Sequence, residues 1–368
     1  MRLKSFAAAA VLLTLLARPS PVAAEAWLRS GDSVSVPAAG MGFPTVAGTL
    51  TLTETAEFSH KGEGIDNIAQ YESADGELFA SVYVYYVGLA HNGLAALATA
   101  NAMTSGSPEV RKTRSTKAAA GGLADVAIRE SYTGYRGRLA SSAAFLKSGR
   151  WLIKLRLSGP DARAADIEAA MDALLAGITF GDDAAPHPAA AIEAQPCASE
   201  PAGAEALPVA EDSASAAAEA LLLGTFDGAS QRIAGEAGQD GPLPARVGGS
   251  FCQAGEIRVP TGTVPILRAV GTSPGGLATT ELLAVTSDAG GLVEAVRLGS
   301  GRYRLLHHQI GQTALLGAYD RLPSIAQIEA ILSGADHAGG AYRATVILRP
   351  GEGPRINVKT GTDAPPTT

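Results

Sequence analysis

A change of composition at Gly181 constrains the fold of this 368-residue chain more than any other feature. Residues 182–220 consist mainly of Ala, Pro, Glu and Ser, which offer little to bury and favour extended backbone. Hydrophobic residues make up 46% of the whole chain, enough for two cores. We therefore predict an N-terminal domain over residues 27–181, a linker over 182–220, a C-terminal domain over 221–358 and a disordered tail over 359–368.

The first 24 residues have the pattern of a secretory signal peptide. Arg2 and Lys4 form a positive start, residues 6–17 are apolar, and residues 22–24 are a small-residue cleavage site. The apolar run is shorter than the ~20 residues that a membrane span needs. We predict that the mature protein begins at Glu25, has no membrane span and is exported, in a bacterium to the periplasm.

Two cysteines, Cys197 and Cys252, are present in the chain. An even number in an oxidising compartment favours a disulfide between them, and two buried free thiols are the alternative. A zinc site is poorly supported, because no further ligands stand at a characteristic spacing. The disulfide would tie the linker to the C-terminal region.

The N-terminal region alternates between strand and helix patterns. Residues 48–59 and 78–87 have the period-two alternation of strands, and residues 74–76 form a plausible hairpin turn before the second of them. Residues 167–178 carry one apolar stripe at helical spacing, which needs a sheet to pack against. We predict an α+β fold for this region, with an antiparallel sheet and packed helices.

The order of these elements resembles that of a known group of exported proteins. A Val/Tyr-rich strand in a hairpin is followed by a helix and by a meander that ends in RWLIKLRLSGP, before the helix DIEAAMDALLAGITF. Over residues 27–180 this order is similar to the α/β/α sandwich of PsbP-like and DcrB-like proteins. The resemblance implies a fold and provides no catalytic residues or cofactor.

The C-terminal region also has alternating strand patterns, with a turn at residues 288–291. Ser324 and Gln327 match a capping box, which predicts a helix that continues to about Leu332. We predict a second small α+β domain here, again an antiparallel sheet with packed helices, and recognise no family.

The search for catalytic and metal-binding motifs gives little. Residues 271–275 have the letters of a nucleophile elbow, but Pro274 lacks the N–H that an oxyanion hole requires. His307 and His308 are neighbours on a strand, so they point to opposite faces, and we expect one to be half-buried and the other solvated. The loop 60–66 holds one His and two acids, at a spacing that matches no known metal cage. We expect no cofactor, and lean against an enzyme.

Five tyrosines dominate the aromatic content of the N-terminal region. Tyr83 and Tyr85 share one face of a predicted strand, so they would either line a ligand surface or pack within the sheet. The full set is Tyr83, Tyr85, Tyr86, Tyr132 and Tyr135.

Residues 111–156 contain eleven basic and two acidic residues, in a chain whose net charge is −7. Lys154 and Arg156 alternate with apolar neighbours, and we expect them to project from the face of the sheet that lies away from the core. A basic face attracts anions, such as an anionic envelope component or an acidic protein, and a merely solvated face is the alternative. The predicted partner-binding residues are Arg136, Arg138, Lys154 and Arg156.

Three functions remain open at this point. A non-enzymatic envelope protein that binds a protein or an anionic envelope partner fits two small domains without a catalytic motif. The alternatives are a small-molecule carrier with a Tyr-lined pocket and an enzyme whose residues converge only in the fold. An acidic exported chain is not expected to bind nucleic acid.

Overall fold

A computed structural model describes most of the chain, and the predicted signal peptide and nearly all of the predicted tail lie outside the described residues. The described residues are 26–59, 62–105, 107–198, 205–211, 214–220, 250–260, 262–270, 278–337 and 339–359. Of these, 51% lie in strands and 17% in helices, in three sheets that include a half-barrel. The predicted α+β fold, with two small sheets covered by helices, is therefore wrong. Long hairpin ladders dominate, and among the described residues of the second half of the chain no helical segment exceeds eight residues.

A small first sheet precedes the main one and was not predicted. It has the order β1-β2-β3-β12. Buried Val34, Val36, Met41 and Phe43 place it on the same core as the second sheet. Its strands are β1 (Leu28–Ser30), β2 (Ser33–Val36), β3 (Met41–Pro44) and β12 (Thr179–Phe180).

The second sheet is an eight-stranded antiparallel sheet with the order β4-β5-β6-β7-β11-β10-β9-β8. The predicted turn at residues 74–76 joins two of its strands, and the N–H of Gly76 donates to the carbonyl of Ser73 over 2.9 Å. Its strands are β4 (Val46–Ala47), β5 (Leu50–Glu57), β6 (Asp66–Ser73), β7 (Phe79–Tyr86), β8 (Arg111–Ala120), β9 (Leu123–Tyr135), β10 (Leu139–Ser148) and β11 (Trp151–Pro160).

Two helices contact opposite faces of this sheet. Helix α2 (Ala164–Ala176) carries the predicted apolar stripe, and its Ile167, Met171 and Leu174 are buried against the core face of the central strands. Helix α1 (Asn92–Ser105) lies on the other face, where its alanines contact Phe145 and Leu152. Small side chains let α1 approach the sheet closely, and they leave its opposite side available for a second packing partner.

The third sheet supplies that partner. It has nine strands in sequence order from β13 to β21, all antiparallel except the β13–β14 pair. Leu94 and Ala98 of α1 pack against Leu267, Leu283 and Leu292 of this sheet. Its strands are β13 (Gln195–Pro196), β14 (Ser250–Val259), β15 (Gly262–Val270), β16 (Ala278–Val285), β17 (Leu292–Leu298), β18 (Tyr303–Gln309), β19 (Gln312–Tyr319), β20 (Ala344–Ile347) and β21 (Arg355–Val358).

Two short helices accompany the third sheet. Residues 214–220 form α3, and Ile325–Leu332 form α4. The predicted capping box at the start of α4 is present, because the N–H of Gln327 donates to the Ser324 hydroxyl and its side chain accepts from the N–H of Ser324. Ile328 and Ile331 of α4 close one face of the sheet.

The second and third sheets are also joined through backbone. The N–H of Gly88 donates to the carbonyl of Gln309 over 2.9 Å, and the N–H of Gly311 donates to the carbonyl of Tyr86 over 2.7 Å. A Cβ at Gly88 would lie 2.5 Å from the Thr313 hydroxyl and 2.7 Å from the carbonyl oxygen of Gln312, so only glycine fits this approach. These contacts hold the two sheets against each other at one end of the face that carries α1.

Part of the predicted linker lies along the region where the second and third sheets meet. The N–H of His187 donates to the carbonyl of Lys147 over 3.0 Å, and that of Ala189 to the carbonyl of Asp125 over 2.7 Å. The segment then enters the third sheet as β13. Residues 182–198 thus run over the ends of second-sheet strands before they reach the third sheet. The proposed domain boundaries themselves stay a prediction.

Candidate functional site

The turn between β9 and β10 presents a group of basic side chains at the open end of the second sheet. Gly134 and Gly137 have φ of 75° and 77°, and Arg136 between them has φ of 50°. A non-glycine residue in this left-handed region is uncommon and costs conformational energy. The strained backbone places Arg136 and Arg138 in solvent.

Two of the predicted arginines, Arg136 and Arg156, contact the ring of Tyr135. The guanidinium carbons of Arg136 and Arg156 each lie 5.4 Å from the ring centroid, a distance typical of a cation–π contact. A hydrogen bond with Arg156, reinforced by the charges of both arginines, lowers the pKa of the Tyr135 phenol. Arg156 is half-buried, and its Nη2 lies 3.6 Å from the Met103 sulfur. The two cations therefore share one aromatic neighbour.

Within the described part of the chain, Arg136, Arg138 and Arg156 form no ion pair with a carboxylate. Nearby basic residues of the same sheet differ in this respect. The Lys112 ammonium lies 2.9 Å from a Glu130 oxygen, and Arg129 is paired with Glu168 and Asp172. Two further carboxylates lie at the turn between β9 and β10 without pairing to these arginines: Asp161 accepts a hydrogen bond of 3.4 Å from the N–H of Gly134, and Glu109 Oε2 lies 3.4 Å from the position that a Cβ at Gly137 would take. The three guanidinium groups are thus without a direct ion pair in the described part of the chain.

Lys154, the fourth predicted partner-binding residue, lies elsewhere. It is only 7% exposed and forms an ion pair with Asp288, which also accepts a hydrogen bond of 2.7 Å from the Thr99 hydroxyl. The expectation that Lys154 points into solvent is wrong, because α1 and the turn at residues 286–291 cover this part of the face. Asp288 is separated from Lys154 by 134 positions, and no local sequence signal links the two.

The predicted pair Tyr83 and Tyr85 does share one face, and the two rings stack at a centroid distance of 5.6 Å. The Lys154 ammonium lies 5.4 Å from the centroid of the Tyr83 ring, and Tyr85 is only 8% exposed. Both rings therefore contact other protein groups, which favours packing within the sheet over the alternative that they line a ligand surface. Tyr86 packs edge-on against Trp151, and Tyr132 is buried with its hydroxyl on Glu130.

The predicted disulfide between Cys197 and Cys252 is confirmed, with Cα atoms 4.9 Å apart. The N–H of Cys197 also donates to the carbonyl of Gln253 over 3.0 Å, next to the parallel β13–β14 pairing. The bond thus ties the segment that leaves the second sheet to the first long strand of the third sheet.

The two neighbouring histidines point to opposite faces, as predicted, but neither is solvated. His308 is 1% exposed and lies 2.9 Å from both Glu294 and the Thr313 hydroxyl. His307 is half-buried beside the Tyr342 hydroxyl, and burial together with His308 lowers its pKa from 6.5 to about 4. His308, Glu294 and Thr313 thus form a buried polar group on the third sheet.

A cleft of about 280 Å³ lies between the first sheet and the β20–β21 hairpin. Its arginines are neutralised in place, since Arg349 lies 2.5 Å from Glu63 and Arg355 lies 2.6 Å from Glu352. It is lined by Ala38, Glu63, Arg349, Pro350, Glu352 and Arg355. The cleft therefore offers an anion less free positive charge than the Tyr135 turn does.

The remaining predicted motifs are described only in part by the structure. His60 and the segment 271–275 lie outside the described residues. Among the residues that are described, no group of three or more His, Cys, Asp or Glu side chains is placed to hold a metal ion. No helix in this part of the chain is long and apolar enough to cross a membrane.

Comparisons with known proteins do not identify the chain. No protein-family model matches it, and no curated protein matches it. One similar solved structure is a protein from Bacteroides thetaiotaomicron VPI-5482, determined at 1.50 Å resolution, with 13% identity and a TM-score of 0.25. The match covers 58% of this chain and 64% of that chain, which is less than two thirds of its length. A likeness at this level carries no argument about fold or function.

Proposed function

We propose that this protein is an exported, non-enzymatic envelope protein that binds an anionic partner through Arg136, Arg138 and Arg156 around Tyr135. Export to an oxidising compartment accords with the Cys197–Cys252 disulfide and with the signal-like first 24 residues. The periplasm is the proposed location. A kinship with PsbP-like and DcrB-like proteins is part of the same proposal for residues 27–180.

The observation that supports this function best is that none of the three arginines forms an ion pair within the described residues, although Asp161 and Glu109 lie at the same turn. Like charges held close together repel each other, and an incoming carboxylate, sulfate or phosphate relieves that repulsion. Guanidinium groups also bind such anions through paired hydrogen bonds. The left-handed backbone at Arg136 adds support, because strain of this kind is common at functional sites.

A small-molecule carrier with a Tyr-lined pocket is the second candidate, and the contacts of the tyrosines argue against it. Tyr83 and Tyr85 stack on each other and pack under the third sheet, beside Ala289 and Ile310. A carrier site there would require the two sheets to separate. Binding at the Tyr135 turn requires no such movement.

Two double variants test the proposal. Arg136→Gln with Arg138→Gln removes two unpaired charges, and Arg297→Gln with Arg355→Gln removes two charges that are 51% and 70% exposed but paired. Each double variant lowers the net charge by the same amount. On a sulfated resin and on anionic vesicles, we expect only the first pair to weaken apparent affinity, by about tenfold at low salt.

Adding Arg156→Gln to the first pair should weaken retention further, and raising the salt should release the wild-type protein. Equal retention of the two double variants would show that net charge alone drives binding. In that case the arginines around Tyr135 are an ordinary solvated surface, and the proposed function loses its support.

A further inference from the structure

An exposed phenylalanine lies on the same sheet face as the arginine cluster. Phe79 at the start of β7 is 54% exposed, although most phenylalanines in strands pack into a core. The residues on either side of it, Leu78 and Ala80, are buried, so strand alternation directs the Phe79 ring to the face of Tyr83 and Tyr85. The third sheet covers the far end of that face, and helix α1 covers its middle, where Met103 reaches Arg156 and Tyr135.

Strand register places Phe79 beside Arg156. Phe79 pairs with Ser158 and Ser81 pairs with Arg156, so these four side chains form two adjacent rows on neighbouring strands β7 and β11. Tyr135 follows beyond Arg156, in contact with its guanidinium. We call this surface, made of Phe79, Ser81, Ser158, Arg156 and Tyr135, the Phe79 strip.

Acids border the strip at both ends, and none forms an ion pair with Arg156 within the described residues. At the Tyr135 end, Asp161 accepts a hydrogen bond of 3.4 Å from the N–H of Gly134, and Glu109 lies beside Gly137.

At the Phe79 end, Glu72 is the strand partner of Phe79. The Glu72 side chain faces the hairpin turn, where its Oε1 lies 3.1 Å from the position that a Cβ at Gly76 would take. Asp75 and Glu77 are both paired with Arg163, at 2.8 and 3.0 Å. The strip therefore joins one open aromatic ring, hydroxyl groups and a cation without a carboxylate partner among the described residues.

The size of the strip decides which kind of ligand fits. It spans four adjacent strands from β7 to β9, about 14 Å at the usual strand spacing, and is only two residue rows wide. A stable protein partner usually needs about 800 Å² on each side. Binding to a lipid surface usually requires several protruding apolar residues, whereas the strip has only Phe79. A short chain of sugar rings matches its length and its mixture of aromatic and hydroxyl groups.

We propose that the Phe79 strip binds an acidic oligosaccharide that carries carboxylate groups. One sugar ring stacks its C–H face on Phe79, because the negative face of an aromatic ring attracts positively polarised hydrogens. A carboxylate further along the chain accepts paired hydrogen bonds from Arg156, with Arg136 beside it. This inference rests on the proposed function and names the chemical class of its anionic partner.

Calorimetric titration with hexagalacturonate tests the inference on the purified full-length protein. Maltohexaose serves as the neutral probe, sodium phosphate as the free anion, and phosphatidylglycerol vesicles as the lipid. We expect hexagalacturonate to bind better than all three. Phe79→Ala should weaken its binding about fivefold, as the loss of one stacking contact predicts. Arg156→Gln should weaken it tenfold or more, as the loss of a charged hydrogen-bond pair predicts.

Phe58→Ala is the matched control, because Phe58 is 64% exposed and belongs to a different part of the molecule. It should leave binding unchanged. If Phe79→Ala and Phe58→Ala behave alike, the strip is not a sugar-binding surface. Binding of vesicles or phosphate without hexagalacturonate would overturn this inference and leave the arginine cluster as a general anion site. No binding of any anionic probe, together with equal retention of the double variants on resin, would overturn both proposals.

Discussion

Lys154 and Arg156 lie two residues apart on the same face of β11, and they differ in almost every physical respect. Lys154 is 7% exposed, paired with Asp288 and placed over the Tyr83 ring. Arg156 is half-buried beside Tyr135 and has no carboxylate partner in the described part of the chain. One end of the sheet face is thus a closed junction with the third sheet, and the other end is open to a ligand.

The difference shows that basic residues alternating along a strand can be either buried in an ion pair or left without a carboxylate partner. Alternation assigns both side chains to one face, but the cover on that face comes from distant segments. Helix α1 and the turn at residues 286–291 reach Lys154, whereas Arg156 contacts Met103, in the last turns of α1, and the Tyr135 ring. The same charge therefore stabilises the fold at one position and stays available for binding at the other.

The largest expected effect comes from reversing charge at the closed end. Lys154→Glu places a second carboxylate against Asp288 in a poorly hydrated place, and we expect it to lower the free energy of unfolding by about 3 kcal/mol or more. Arg156→Glu should cost less, about 1 kcal/mol, because Arg156 is half-buried and the change removes its cation–π contact with Tyr135. Urea denaturation of both variants measures the contrast.

The exchanged pair, Lys154→Asp with Asp288→Lys, is the control for this contrast. It restores opposite charges at the junction and should recover part of the lost stability. Equal losses for Lys154→Glu and Arg156→Glu would mean that the ion pair with Asp288 does not hold the two sheets together.

The second-largest effect should come from acidic pH, which should lower the stability of the closed end of the sheet face. His91, before α1, accepts a hydrogen bond from the N–H of Leu94 over 3.3 Å. Burial, with a contribution from Lys147, lowers the pKa of His91 from 6.5 to about 4. The unfolded chain therefore binds more protons between these values, so the stabilisation is complete above pH 6.5 and is lost as the pH falls toward 4.

We expect the unfolding equilibrium constant to rise about tenfold from this group alone between pH 6.5 and 5. His91→Asn keeps a hydrogen-bond acceptor for Leu94 and removes the titration, so its stability should change less over the same range. Thermal unfolding at a series of pH values measures the difference. Parallel pH profiles for the wild type and the variant would exclude His91 as the source.

The smallest effect should come from the open end. Arg136 has φ of 50°, which glycine adopts without the steric cost that arginine meets. Arg136→Gly should therefore stabilise the fold by up to about 1 kcal/mol, less the added entropy of the unfolded chain, while it weakens binding to anionic resin. Chemical denaturation and resin retention measure the two effects. A clear loss of stability would show that the Arg136 side chain supports the turn.

Several local features were predictable because their causes lie within a few residues. The apolar stripe of α2, the capping box at Ser324 and the turn at residues 74–76 all depend on nearby side chains and backbone. The fold class was not predictable in the same way. Strand patterns in both regions were recognised, but how many strands share one ladder depends on pairing between distant segments.

The residues of the candidate site likewise differ in whether local sequence or distant packing determines their exposure. Arg136 and Arg138 were predicted as partner-binding residues from the basic composition of residues 111–156, and the structure exposes both in the turn between β9 and β10. Phe79 was missed, because an exposed phenylalanine at a strand end has the same pattern as a buried one. Its exposure depends on how far the third sheet extends over the face.

The sequence by itself determined the two cysteines of the disulfide, the apolar stripe of α2 and the face to which Lys154 and Arg156 belong. Each of these follows from local backbone preference, periodicity or residue chemistry. Only the tertiary structure decided that Lys154 is buried on Asp288 and that Phe79 and Arg156 are adjacent at the open end. Burial depends on which distant surfaces meet, and that is set by the packing of the whole chain.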